Sequence, residues 1–314
     1  MKDKLLSVVI PMFNEEGNIE AIYQKLIEVL PKLKHFTNFE IIAVNDGSKD
    51  NTLEKLKEIS KKDSTLKIIS FTRNFGHEPA TYAGILNASG EAVFLIDADL
   101  QDPPELILEF EKEYLNGYHI VFGQRTKRLN ESFFKKFTSK IFYPIFKFLT
   151  GVDLPQNVGD FCLLSRKTIN CIKQMPEQTF FIRGLIYWSG LPKKAVPFIR
   201  HGRHAGTTKY NYWKLTIFAL ENIISFSIIP IYAMLFMSLI LIILSFFGTI
   251  TALLLRLFGY VVMTGWTSLI IGMLFFFSCT IFFLSILGIY IGKIFQEVKQ
   301  RPIFLIDEKV NFEK

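Results

Sequence analysis

Apolar and polar positions follow two alternating periods over the first 125 residues, then lose periodicity over the last third of the chain. Residues 5–10 form a short β-branched apolar run that stops at Pro11. Ile19, Ile22, Leu26, Val29, Leu30 and Leu33 then recur at helical spacing across residues 17–33. The alternation repeats. Residues 39–44 predict a second strand and Leu53, Leu56 and Ile59 a helix; residues 66–71 predict a third strand and residues 80–88 a helix. Residues 93–96 read as a strand buried on both faces, ending at Asp97. A helix starts after Pro103, and residues 120–122 form one more strand.

Strands alternating with helices imply an α/β fold with a mostly parallel sheet, whose strand ends gather along one edge. Four polar loops arrive at that edge: residues 11–16, 45–52, 73–78 and 97–102. Ligands of open α/β sheets bind in the crevice beyond the carboxyl ends of the strands, so acids placed there face a site. Asp97 and Asp99 bracket one small residue, Ala98, which lets two carboxylates approach one point. Hard divalent cations such as Mg2+ and Mn2+ take oxygen ligands of this kind, and Mg2+ commonly binds one or two carboxylates together with substrate phosphates. A metal-bridged nucleoside diphosphate fits the pattern. So does a plainer reading, in which the aspartates only form a turn; Asp102 before Pro103-Pro104 is a good helix start.

Charge changes the picture of the C-terminal third. No charged residue lies between Glu221 and Arg256, or between Arg256 and Lys293, which predicts two membrane spans at about 229–254 and 266–291. Cations crowd before the first span and follow the second at Lys293, Lys299 and Arg301, so the positive-inside rule puts both termini in the cytoplasm. The net charge of +7 sits beside these spans, which favours anionic lipid or a phosphorylated substrate over nucleic acid. Residues 131–149 interleave Phe133, Phe134, Phe137 and Phe146 with Lys135, Lys136, Lys140 and Lys147, a pattern for a helix lying on the membrane surface or packed on the domain. Residues 212–228, with Trp213, predict a second interfacial helix. Cys162, Cys171 and Cys279 have no metal-ligand spacing and no evident pairing, which fits a reducing compartment. The apolar run after Lys2 and Lys4 breaks at Pro11, so it is expected to be a strand and not a signal peptide.

The series Val9-Ile10-Pro11-Met12-Phe13-Asn14-Glu15-Glu16, Val44-Asn45-Asp46-Gly47-Ser48, Arg73-Asn74-Phe75-Gly76 and Asp97-Ala98-Asp99-Leu100-Gln101-Asp102-Pro103-Pro104 resembles family 2 glycosyltransferases of the GT-A fold. Within that family it is most similar to the membrane-bound polyprenyl-phosphate glycosyltransferases, the group of bactoprenol glucosyltransferases and dolichol-phosphate mannose synthases. The resemblance covers almost the whole chain, and four motifs in order with two C-terminal spans are specific where one Asp-x-Asp is not.

The resemblance implies roles. Pro11, Phe13 and Glu15 match the loop holding the nucleoside, and Asp46 matches the acid that bonds the nucleobase. Asp97, Ala98 and Arg125 belong to the nucleotide-sugar site, while Asp97, Asp99 and Gln101 match the metal set for Mg2+ or Mn2+. Gly159-Asp160-Phe161-Cys162-Leu163 resembles a Gly-Asp-Phe-Arg-Leu block whose Asp is the proposed base; with Asp99, Asp160 is a catalytic candidate. Cys162 stands where the family has Arg, and a neighbouring arginine is expected to substitute. Arg203, Thr208 and Lys209 match a loop that closes over the diphosphate and the acceptor phosphate.

The expected organisation is a cytoplasmic GT-A domain over 1–211, an interfacial helix at 212–228, two transmembrane helices within 229–292 and a cytoplasmic tail over 293–314. The implied reaction is inverting transfer of a hexose, with UDP-glucose the expected donor, to polyprenyl phosphate at the cytoplasmic face of the inner membrane. GDP-mannose, UDP-N-acetylglucosamine and an amino-arabinose nucleotide are alternative donors. Glycines in the spans fit contacts between subunits of a homo-oligomer. A processive polysaccharide synthase would carry a Gln-x-x-Arg-Trp motif and more spans, and a non-enzymatic adaptor would not need the carboxylates.

Overall fold

The computed structural model describes residues 4–126, 144, 146–151, 155, 158–175, 177, 181–199, 227–258 and 265–312. Two compact units divide the chain: Met1–Tyr210 with Arg301–Lys314, and Asn211–Gln300. The first unit is built on one sheet in which β1 (Leu5–Met12), β2 (Asn38–Asn45), β3 (Leu66–Phe71) and β4 (Ala92–Leu95) run parallel. Helices α1 (Ile19–Val29), α2 (Thr52–Ser60) and α3 (His77–Asn87) connect them, as the alternating periods predict. Helix α4 (Ile107–Leu115) leads to β5 (Ile120–Arg125); β6 (Val158–Ser165), α5 (Arg166–Lys173), α6 (Ile182–Trp188) and β7 (Lys193–Phe198) follow. The strand order is β7-β5-β6-β4-β1-β2-β3, with an eighth strand, β8 (Ile306–Val310), beyond β3.

β6 pairs antiparallel with both β4 and β5. That pairing sets the site, because it brings residues 158–162 beside the end of β4, with Leu95 opposite Cys162. Strand alternation then sends Phe161 into an aromatic cluster with Phe94, Phe110 and Phe198, at centroid distances of 5.1 to 5.6 Å, and leaves Asp160 and Cys162 on the other face. The helix predicted over 17–33 ends sooner. Pro31 lies in a 3-10 turn, Leu30–Lys32, which closes α1.

The tail after the second apolar helix holds a strand that periodicity did not single out. β8 pairs antiparallel with β3, which gives the exposed edge of β3 a partner. In the second unit, α7 (Ile229–Leu257) and α8 (Trp266–Lys299) contain the candidate membrane spans Ile229–Gly248 and Phe275–Lys299, with mean hydropathies of 2.5 and 2.1. Their outward surfaces are apolar, with Phe246, Phe247, Phe277 and Ile281 more than 60% exposed, as helices facing lipid require. Residues 212–226 and most of the helix expected over 131–149 lie outside the described residues; within the latter, residues 144 and 146–149 are helical.

Candidate active site

The polar loops predicted at the strand ends lock into one another. Asn14, at φ 56°, donates its N–H to Ser48 Oγ (3.0 Å) and accepts from the Lys49 N–H through Oδ1 (2.8 Å). The Glu15 N–H bonds Thr52 Oγ1 at 2.9 Å, and the Glu16 N–H bonds Asp50 at 3.2 Å. Pro11 is buried at the end of β1, with Phe13 and Glu15 half-buried beside it; Glu15 accepts from Asn18 Nδ2 at 2.6 Å.

Asp46 is 2% exposed and ties this pair of loops to the third. Its Oδ1 accepts from the Phe75 N–H at 2.6 Å, and its Oδ2 from the Gly76 N–H at 2.9 Å and Asn74 Nδ2 at 2.8 Å. A carboxylate offers about four acceptor positions, and the loop takes three of them. Burial raises the Asp46 pKa, and the two amide hydrogen bonds counter only part of that. Gly47, at φ +60°, lets the chains approach: a Cβ there would lie 2.3 Å from the Arg73 carbonyl carbon.

Asp97 and Asp99 leave the end of β4 half-buried, and Leu100 follows at φ 56°, a left-handed conformation costly for leucine. The Gln101 N–H donates to Asp99 Oδ1 at 3.2 Å. Ala98 is buried beneath them. Among the described residues no group of three or more His, Cys, Asp and Glu side chains is arranged to hold a metal. Two carboxylates are nonetheless the donor set from which a Mg2+ or Mn2+ ion completes its shell with ligand phosphates, so the residues present fit such an ion. Asp102 is 1% exposed and pairs with the Arg125 guanidinium at 3.5 Å. Arg125 in turn fits against Gly159, where a Cβ would lie 2.6 Å from Nη2.

Asp160 is the centre of a charged cluster. Its Oδ1 accepts from Arg183 Nη2 at 2.9 Å and Nε at 3.2 Å; its Oδ2 lies 3.2 Å from His77 Nε2, which is 3.7 Å from Asp97 Oδ1. Burial alone would raise the Asp160 pKa, but Arg183 and His77 hold it well below the usual carboxylate range. Desolvation opposes charge on His77, and the Asp160 hydrogen bond with the Asp97 and Asp160 charges outweighs it, pushing the imidazole up to about 10. Glu78, desolvated and repelled by Asp160, rises to about 7 and accepts the Ile182 N–H at 2.9 Å. Burial pushes the Cys162 thiol up, which makes it inert as a nucleophile at neutral pH.

The sequence reading thus named Asp97, Asp99 and Asp160 but not the side chains between them. His77 and Glu78 lie in the third strand-end loop it marked as polar, and Arg183 is the first cation of an acid-free run from 178 to 220. Arg183 supplies a guanidinium beside Asp160, where Cys162 offers none. Arg203, Thr208 and Lys209 lie outside the described residues.

The pattern of Glycosyl transferase family 2 matches residues 7–173. A Synechocystis sp. protein named uncharacterized glycosyltransferase sll0501 is 44% identical over 303 residues, covering 96% of this chain and 95% of its own. Uncharacterized glycosyltransferase YkcC of Bacillus subtilis is 41% identical, covering 98% and 94%. The SfII prophage-derived bactoprenol glucosyl transferase of Shigella flexneri is 38% identical over 302 residues, covering 96% and 97%.

Proposed function

The chain belongs to glycosyl transferase family 2 and is a glycosyltransferase, and from that premise we propose that it transfers a hexose from a nucleotide sugar, UDP-glucose, to the phosphate of a polyprenol at the cytoplasmic membrane face, with inversion at the anomeric carbon. The observation that carries this reading is the convergence of Asp97, from the end of β4, with Asp160, from β6, on His77. One acid belongs to the pair suited to a cation on the diphosphate, and the other reaches the same ring nitrogen, Nε2, from β6. The name of the Shigella flexneri relative, matched over 97% of its length, supports bactoprenol as the acceptor class.

The chemistry asked of each group is limited. A phosphate monoester has a second pKa near 6, so the attacking oxygen is already largely ionised at neutral pH. Asp160 therefore orients His77 and Arg183 instead of removing a proton, and the charge of those two cations would attract the acceptor phosphate. Asp46 and the loop at Pro11, Phe13 and Glu15 hold the nucleoside, with Arg125 bracing the loop after β4 through Asp102. A divalent cation bound by Asp97, Asp99 and Gln101 would offset charge developing on the departing diphosphate. Arg203, Thr208 and Lys209, which the resemblance assigns to phosphate binding, would add further contacts to the phosphates.

The α/β unit takes strands from before α7 and from after α8. Two membrane crossings therefore return the chain to the side it left, which agrees with both termini in the cytoplasm. The test is a panel of radiolabelled donors, UDP-glucose, UDP-N-acetylglucosamine, GDP-mannose and a UDP-amino-arabinose, each with membranes and polyprenyl phosphate. Label passing from UDP-glucose into an acid-labile polyprenyl product is expected. Transfer from another donor alone reassigns the sugar, and transfer from none refutes the reading.

A further inference from the structure

The segment that follows the second apolar helix lies beyond the family match of residues 7–173, yet it reaches the loop that grips Asp46. The Thr72 N–H, the first after β3, finds its acceptor in the Leu305 carbonyl at 3.1 Å. Phe304 stacks on Phe71 with centroids 5.0 Å apart and planes 10° from parallel. Phe71 meets Phe75 edge-on at 5.7 Å, and the Arg73 guanidinium covers the Phe75 ring at 3.9 Å. Phe75 and Gly76 are the residues whose N–H groups bond the Asp46 carboxylate.

The segment is itself held firmly. β8 pairs with residues 68–71, and the register shift in that pairing falls between Ser70 and Phe71, where the strand gives way to the loop. Lys309 Nζ bonds Asn87 Oδ1 at 2.7 Å, Asn311 Nδ2 bonds the Ser60 and Leu66 carbonyls at 3.0 and 2.9 Å, and Glu308 pairs with Lys57. A firmly anchored ring can therefore restrain the loop it stacks on.

We propose that the C-terminal segment is part of the donor site, with Phe304 a positioning residue that holds residues 72–76 in the conformation that clamps Asp46. The loop has five residues between β3 and α3, and its turns are not closed by a ladder of its own. Its geometry rests on Asp46 at one end and on the Phe304–Phe71–Phe75 rings at the other. Losing the stacked ring frees the loop, and the donor must then order it again on binding. The restraint acts through Asp46, which the reading above assigns to the nucleoside, so the effect falls on donor binding. The functional half of this inference rests on the nucleotide-sugar reading above.

The experiment uses the full-length protein in detergent, with Phe304→Leu, which keeps apolar volume but loses the flat ring, and Phe304→Tyr, which keeps it. Amide hydrogen exchange over residues 72–77 and titration with UDP and with GDP are measured on each. Phe304→Leu is expected to exchange faster at this loop and to bind its nucleotide about three- to tenfold more weakly. The KM for donor rises with it, while kcat at saturating donor and the KM for polyprenyl phosphate stay unchanged; Phe304→Tyr behaves as wild type. Unchanged exchange over 72–77, unchanged nucleotide affinity, or a fall in kcat with donor KM unaltered would each overturn the proposal. A wild-type protein that binds neither nucleotide refutes the donor reading instead, and the exchange data then still decide whether Phe304 restrains the loop.

Discussion

Arg183 and Asp160 meet through two hydrogen bonds, at 2.9 and 3.2 Å, across 23 residues of sequence. Both bonds end on Oδ1, which leaves Oδ2 to His77. Residue 162, where the resemblance puts an arginine, shares the strand face with Asp160 and holds a buried cysteine. We propose that Arg183, on α6, takes the place of the arginine that the resemblance puts at residue 162 on β6, a relocation of the guanidinium.

That relocation predicts a rescue. Arg183→Ala is expected to lower kcat/KM roughly 10- to 100-fold, because it removes charge-assisted bonds worth about 1.5–3 kcal/mol. Adding Cys162→Arg to that variant should recover part of the loss, whereas Cys162→Arg alone should impair the enzyme by crowding two guanidiniums onto one carboxylate. Steady-state kinetics of the four proteins decide it; no recovery in the double variant would remove the equivalence.

Asp99→Ala is expected to cost on the order of 3 kcal/mol or more of transition-state stabilisation, about a hundredfold in rate or more. Asp97→Ala should behave alike, and excess chelator should silence the wild type. Asp160→Asn keeps the side-chain shape and one acceptor oxygen, so its loss should be smaller than that of Asp99→Ala. Full activity of an Asp97/Asp99 double variant sinks the metal role, and a dead but folded Asp160→Asn restores Asp160 as a base.

Gly47→Ala places a Cβ against the Arg73 and Asn74 backbone in a left-handed conformation. The second and third loops must part, at a cost of about 1–3 kcal/mol. The donor KM is expected to rise with a modest fall in melting temperature; an unaltered KM would show that the two loops bind independently.

Glu40 is a stability element. It is 3% exposed, and it takes hydrogen bonds from Lys67 Nζ at 2.6 Å, Ser7 Oγ at 2.5 Å and the Ser89 N–H at 2.7 Å. Burial would raise its pKa, but these donors outweigh burial and lower it below 4.5. A carboxyl that is more acidic folded than unfolded contributes fully above the unfolded range and loses that contribution as pH falls through the folded value. Glu40→Gln should therefore destabilise by about 1–3 kcal/mol at pH 7, with the gap to wild type closing below pH 4.5, measured by chemical denaturation across pH. A gap independent of pH would assign the effect to packing.

The sequence by itself determined the alternating strands and helices, the polar edge they share, the Asp97-Ala98-Asp99 pair and the two apolar helices. Each of these is a local property: period, run length and turn chemistry are written in neighbouring residues. It did not determine which side chains meet across elements. Asp160 finds His77 and Arg183 because β6 inserts antiparallel between β4 and β5, and β8 finds β3 from the other side of two apolar helices. Strand order and crossover are long-range choices that cost loop entropy and are settled by packing of the whole core, so no window of the sequence contains them. Tertiary structure alone decided that an arginine in a basic run would pair with Asp160, and that a phenylalanine ten residues from the chain's end would stack on Phe71, next to the loop that bonds Asp46.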